Sequence, residues 1–164
     1  MASEAIFKKG MSLLAGGVTL ITTGSGSERR GITATAVCSL SATPPSLIAC
    51  ANKETGTAQS INETGIFAVS VLGERHTDLS MVFAGATGIS GEERFRHGTW
   101  HQHDMGAPYL ADAIAVFICE TAQKISHGTH FAFVANVKDV ILIDENVDPI
   151  AWIGSSFHNL SPID

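Results

Sequence analysis

Two stretches, residues 113–121 and 131–143, are the longest β-like runs in the chain, and the polar run 123–129 joins them. Apolar and β-branched residues on either side of a polar, glycine-bearing connection predict a long antiparallel hairpin. Shorter runs of the same character lie at 18–22, 31–38, 47–51 and 67–72, and Gly24, Ser25, Gly26 and Ser27 turn the first of these into the second as another hairpin. Sixteen glycines in 164 residues, with only 7% aromatics, suit strands that approach closely and turn tightly. The expected class is mainly β, barrel-like, with short flanking helices.

The first helix is expected over 5–14, where Ile6, Met11, Leu13 and Leu14 fall near helical spacing before Gly16 and Gly17 stop it; its apolar face should pack on the sheet. Residues 55–62 read as a second helix and 76–84 as a third, with Leu79, Val82 and Phe83 on one side. Ser90 followed by Glu93 resembles a capping box that opens a short helix toward Phe95. No internal repeat stands out. At 45% hydrophobic and 16% charged, a chain of this length can bury one substantial core, so one domain over 1–164 is expected.

Ten Lys and Arg against sixteen Asp and Glu leave a net charge of −6, which argues against a nucleic-acid partner. No apolar run approaches the length of a membrane span, and the N-terminus lacks the apolar core of a signal peptide, so a cytoplasmic protein is expected. Cys38, Cys50 and Cys119 are odd in number and widely spaced, which suggests reduced thiols rather than disulfides or a thiolate zinc site.

The candidate chemistry narrows by elimination. Gly24, Gly26 and Gly31 follow a strand but precede another strand, and Arg29 stands where a dinucleotide fingerprint needs its third glycine, so a Rossmann unit is not expected. His101 and His103, and His127 and His130, have spacings open to a metal, yet the first pair sits in a polar stretch that favours solvated side chains, and no metal is expected. His130 differs because it follows Gly128 and Thr129 at a hairpin turn, where a side chain can stand over a cleft. No Gly-x-Ser-x-Gly motif points to a nucleophile. What remains is the small, hydroxyl-rich run Gly31-Ile32-Thr33-Ala34-Thr35-Ala36-Val37-Cys38-Ser39, then Asn52, Lys53 and Thr57 at a helix start. Such residues can lie flat against a planar ligand and bond a phosphate. On these residues alone a flavin-phosphate site and an ordinary half-buried strand and loop are both open.

That run, followed by Pro44-Pro45-Ser46-Leu47, resembles the signature of the flavin reductase family with the FMN-binding split-barrel fold. Phe83-Ala84-Gly85, Glu92-Glu93-Arg94-Phe95 and Gly128-Thr129-His130 follow in the family's order, and the resemblance runs from Phe7 to His158. Within the family it is nearest to reductase components that serve 4-hydroxyphenylacetate-type aromatic monooxygenases. The resemblance implies a homodimer of split β-barrels that binds FMN or FAD near the subunit interface, uses NADH or NADPH as co-substrate, and passes reduced flavin to a separate oxygenase component. It implies that Thr33, Ala34, Thr35, Ala36 and Val37 line the isoalloxazine and ribityl chain, that Ser39, Asn52, Lys53 and Thr57 hold the phosphate, and that Phe83 and Ala84 border the flavin. His130 would meet the nicotinamide. Thr129 stands where the family often carries Asp, and Trp152, Gly154, Ser155 and Ser156 stand where relatives carry a tyrosine and basic residues. A corrin reductase and a non-catalytic flavin-binding protein are the other roles that the same fold serves.

Overall fold

Strand pairing decides the architecture, which is a computed structural model describing residues 1–160; residues 161–164 of the expected domain lie outside the described residues. In chain order the elements are α1 (Glu4–Met11), β1 (Gly16–Gly17), β2 (Thr19–Thr23), β3 (Arg30–Ala34), β4 (Val37–Ala42), β5 (Pro45–Asn52), α2 (Gly56–Thr64), β6 (Ile66–Val71) and α3 (Thr77–Phe83). They continue with β7 (Trp100–Gln102), β8 (Pro108–Leu110), β9 (Ala115–His127), β10 (His130–Leu142), β11 (Ile150–Ile153) and β12 (Ser156–Asn159). Seven strands form one antiparallel sheet in the order β3-β2-β6-β9-β10-β5-β4.

The two edge strands of that sheet are consecutive in the chain. Only Thr35 and Ala36 separate β3 from β4, and three Cα steps span at most about 11 Å. The sheet must therefore curl until its edges nearly meet. β3 and β4 do not pair with each other, so the barrel stays split along this seam, where the Cys50 N–H donates to the Ala36 carbonyl at 2.9 Å. The mainly β, split-barrel expectation is met.

Alternation along the strands fills both faces. Ile21, Phe67, Val69, Cys119 and Phe133 point into the barrel with Ala58 and Ile61 of α2. Their neighbours Leu20, Ala68 and Ile118 point outward beneath Val82 and Phe83 of α3, Phe95 and Leu110. Each large side chain so buried contributes about 1.5–3 kcal/mol.

Several expectations are corrected. The run 31–38 is two strands, because the chain changes partners at Thr35: Ala34 lies opposite Thr19 on β2, whereas Val37 lies opposite Ala49 on β5. The polar run 123–129 is mostly strand, and only Gly128 and Thr129 turn, with Gly128 at φ 51°. The helix α1 forms but buries none of its residues, so its apolar face does not pack on the sheet. Ser90 makes no capping bond, and the segment Gly91–Arg96 is a 3-10 helix. The final stretch is a hairpin, β11 and β12, that joins β1 in a three-stranded sheet. Among the described residues no helix is long and apolar enough to cross a membrane.

Candidate functional site

The seam places small residues opposite a helix start. Leaving β3, the chain lays Thr33, Ala34, Thr35 and Ala36 along one lip of a cleft of about 310 Å³, while Cys50, Ala51 and Asn52 of β5 form the other lip. Phe83 and Ala84 close it from the end of α3, and His130, which lies opposite Asn52 in the sheet, stands at its mouth. The volume is at the lower end of the range for small-molecule sites.

Local sequence explains each wall. Gly31 admits the Phe83 ring, since a Cβ there would come within 2.6 Å of Phe83 Cε1. Phe83 in turn meets Phe95 edge to face at 5.2 Å and is 1% exposed, so it is a fixed wall. The Thr33 hydroxyl donates to the Ser80 carbonyl and ties β3 to α3. His130 is exposed, with Nδ1 2.8 Å from the Thr129 hydroxyl, which orients the ring and leaves Nε2 toward solvent.

Past Ile32 and Thr55, which line both spaces, the cleft meets a second one of about 300 Å³ bounded by Arg30, Gly56, Thr57, Ser90, Gly91 and Arg94. Here α2 begins. The Thr55 hydroxyl accepts from the Ala58 N–H at 3.2 Å, as an N-cap does. The N–H groups of Gly56 and Thr57 have no partner within the helix, and the dipole makes this end positive. Arg94 donates to the carbonyls of Ile89, Gly31 and Phe83 at 3.0, 3.0 and 3.2 Å and pairs with no carboxylate among the described residues. Burial lowers its pKa from the usual arginine value. Arg30 shares its charge with Glu28 at 3.3 Å. A positive helix end beside an unpaired guanidinium is a place for an anion.

The structure thus brings together Thr33, Ala34, Thr35, Ala36, Asn52, Phe83, Ala84 and His130, with Thr57 in the adjoining anion cleft. It does not bring in Val37, Ser39 or Lys53. Val37 and Ser39 lie beyond the change of partner and line a separate apolar groove of about 480 Å³ with Leu47, Phe117 and Val140. The Lys53 ammonium donates to the Gly128 carbonyl at 2.7 Å and lies 5.3 Å from the Phe131 ring centroid, so it holds down the hairpin tip. Sequence reasoning passed over Arg30, Cys50, Thr55, Gly56 and Arg94. Thr55 was legible as a helix cap, whereas the role of Arg94 depends on the Gly31 carbonyl, far from it in the chain.

The remaining histidines are elsewhere. His103 Nε2 lies 3.3 Å from Asp139 Oδ2, His101 packs near Tyr109, and His127 is exposed opposite His130. Among the described residues no three ligating side chains cluster for a metal.

Comparison with known proteins agrees with this geometry. The chain is 37% identical over 158 residues to the FMN reductase (NADH) RutF of Pseudomonas syringae, covering 96% of this chain and 87% of that protein. The Streptomyces globisporus NADH:FAD oxidoreductase SgcE6, solved in complex with NAD and FAD fragments, superposes with a TM-score of 0.87 at 27% identity, over 97% of this chain and 94% of that one. BorF, the flavin reductase component of a bacterial two-component tryptophan halogenase, superposes with a TM-score of 0.86 at 25% identity, over 98% and 100%. The family described as flavin reductase like domain matches residues 11–161, and the chain belongs to it.

Proposed function

We propose that the protein is an NADH-dependent flavin reductase that takes FMN or FAD into the seam cleft and releases it reduced to a separate oxygenase component. The observation that carries this reading is the direct continuation of a flat, small-walled cleft into an anion cleft at a helix N-terminus. The residues fit a flavin: Ala34, Thr35, Ala36 and Ala84 leave room for a planar ring, and the N–H groups of Gly56 and Thr57 with Arg30 and Arg94 suit its phosphate. The relatives named as NADH-dependent FMN reductases and as a component of a two-component system support the same reading.

A bound flavin supplies the hydride acceptor, N5, for nicotinamide C4. The chain's own task is positioning. The seam residues would hold one ring plane, and His130 at the mouth would orient the second ring through its Nε2. No protein acid or base is required. The receiving oxygenase is of the aromatic-ring, 4-hydroxyphenylacetate type, the protein works as a homodimer, and it resides in the cytoplasm. The exposed apolar face of α1 supports the homodimer.

The test is NADH oxidation by the purified protein with and without FMN or FAD. Oxidation should depend on added flavin, and His130→Ala should raise the KM for NADH more than that for FMN. Absence of flavin-dependent oxidation would sink the reading; a variant unchanged in both KM and kcat would remove His130 from it.

A further inference from the structure

The connection that follows α3, residues 84–91, contributes to both clefts: Ala84 borders the seam cleft, and Ser90 and Gly91 border the anion cleft. It has little rigidity of its own, because Gly85, Gly88 and Gly91 all take positive φ and every residue but Ile89 is exposed. Two turn bonds hold its start, from the Gly85 N–H to the Val82 carbonyl at 3.2 Å and from the Ala86 N–H to the Met81 carbonyl at 3.1 Å. Beyond Ala86 it is anchored by the Ile89 side chain, which packs on the core, and by Arg94. The Arg94 Nε donates to the Ile89 carbonyl at 3.0 Å, and among the described residues no other side chain hydrogen-bonds to the backbone of this connection. The same half-buried guanidinium reaches two more carbonyls through Nη1, Gly31 of β3 at 3.0 Å and Phe83 at the end of α3 at 3.2 Å. These are the two residues whose close contact makes the fixed wall of the seam cleft. The last carbonyls of a helix have no partner within it and favour a cation, so Arg94 suits the end of α3 as well.

We propose that Arg94 is a positioning residue for the flavin's ring system: by gathering the Gly31, Phe83 and Ile89 carbonyls it sets the wall, Phe83 and Ala84, that borders the isoalloxazine. The inference rests on the reductase reading, and it gives Arg94 a role that does not depend on the flavin's phosphate. A planar guanidinium presents donors on separate nitrogens in fixed directions. A lysine at position 94 keeps a positive charge beside the anion cleft, yet its single nitrogen cannot stand at the places of Nε and Nη1 together. Charge and positioning therefore separate in one substitution. Riboflavin, which has the ring and no phosphate, reads the positioning alone.

The experiment measures binding of riboflavin and of FMN to full-length wild type, Arg94→Lys and Arg94→Gln by calorimetry, with thermal unfolding of each to show that it is folded. Arg94→Lys should bind riboflavin about tenfold more weakly than wild type, the scale of losing a hydrogen bond from a charged group, and should bind FMN more weakly by the same factor. In turnover at saturating FMN its kcat should fall, while the KM for NADH, whose ring the reductase reading gives to His130, stays in place. Arg94→Gln keeps an amide donor without the charge and serves where the lysine variant does not fold; its affinity for riboflavin should fall likewise. Unchanged riboflavin affinity in a folded variant would overturn the proposal, since a loss confined to FMN makes Arg94 a phosphate ligand and nothing more. So would a rise in the KM for NADH equal to the loss of flavin affinity, which is the mark of a general distortion. Wild type that binds both flavins but does not oxidise NADH would sink the reductase reading alone, and the riboflavin comparison would still decide the role of Arg94.

Discussion

At the scale of single residues, position in the ladder matters more than residue type. Thr35 and Ser39 look equally suited to a polar ligand in the sequence, yet the partner change after Ala34 puts one in the seam cleft and the other in a separate groove. Lys53 reads as a phosphate ligand until its ammonium is seen on the Gly128 carbonyl, and Arg94 takes its place only when the fold brings the remote Gly31 carbonyl to it beside those of Phe83 and Ile89. Such roles depend on contacts between residues far apart in sequence, which no local pattern encodes. His76 shows the same dependence and has a measurable consequence. It is 3% exposed, its Nδ1 accepts from the Gly73 N–H at 3.1 Å, and its Nε2 faces Asp112. Burial lowers its pKa from the usual 6.5, opposed in part by Asp112 and assisted by Arg75. The unfolded chain therefore binds a proton before the folded one does. The stability from the neutral ring is complete above pH 6.5 and is lost as pH falls from there toward the lowered folded-state value. Thermal unfolding followed from about pH 7.5 to about pH 5.5 should show a steeper fall of Tm for wild type than for His76→Asn, whose amide oxygen can still accept from Gly73. Parallel curves would contradict this.

At the scale of elements, type was easier to read than extent. The two hairpins and the buried strands were legible because β-branched runs act locally, and α2, which the structure bounds with the Thr55 cap and Gly65, lies where the sequence placed a helix. The tip of the β9–β10 hairpin was misread as a turn because both of its faces are exposed from Gln123 to His130, so apolar alternation vanishes while backbone pairing continues. The helix α1 raises the opposite problem, since its pattern is right and its packing is missing. Eight residues are too few to hold a helix alone in water. The Ser3 cap and the exposed Glu4–Lys8 pair add little, about 0.3–0.5 kcal/mol for the pair. Ile6 and Phe7 are 71% and 60% exposed, and the groove around Val37 and Leu47 is likewise uncovered. Two uncovered apolar surfaces on one chain fit a second copy that covers both. Light scattering should give a dimer for wild type and a shift toward monomer for the double variant Phe7→Glu, Met11→Glu. A monomeric wild type would sink the homodimer.

At the scale of the whole molecule, the barrel interior is filled, and this decides how a flavin can be held. Ile21, Phe67 and Phe133 occupy the inside with Ala49 and Ala135, whereas Cys50 and Asn52 point the other way, into the seam cleft. The ligand site is therefore on the outer surface of the barrel, and Thr35, Ala36, Ala84 and His130 around it are all exposed. A net charge of −6 works against two anionic ligands at long range, which leaves attraction to Arg30, Arg94 and the start of α2. Among the described residues of one chain nothing encloses this cleft, so a flavin should exchange between turnovers as a substrate. The protein should leave gel filtration without flavin colour and regain full activity on adding FMN, and initial rates with NADH and FMN varied together should give intersecting lines. Flavin that survives gel filtration and parallel lines with a retained cofactor would show instead that it is a fixed prosthetic group, and that closure of the site comes from a surface this chain does not itself supply.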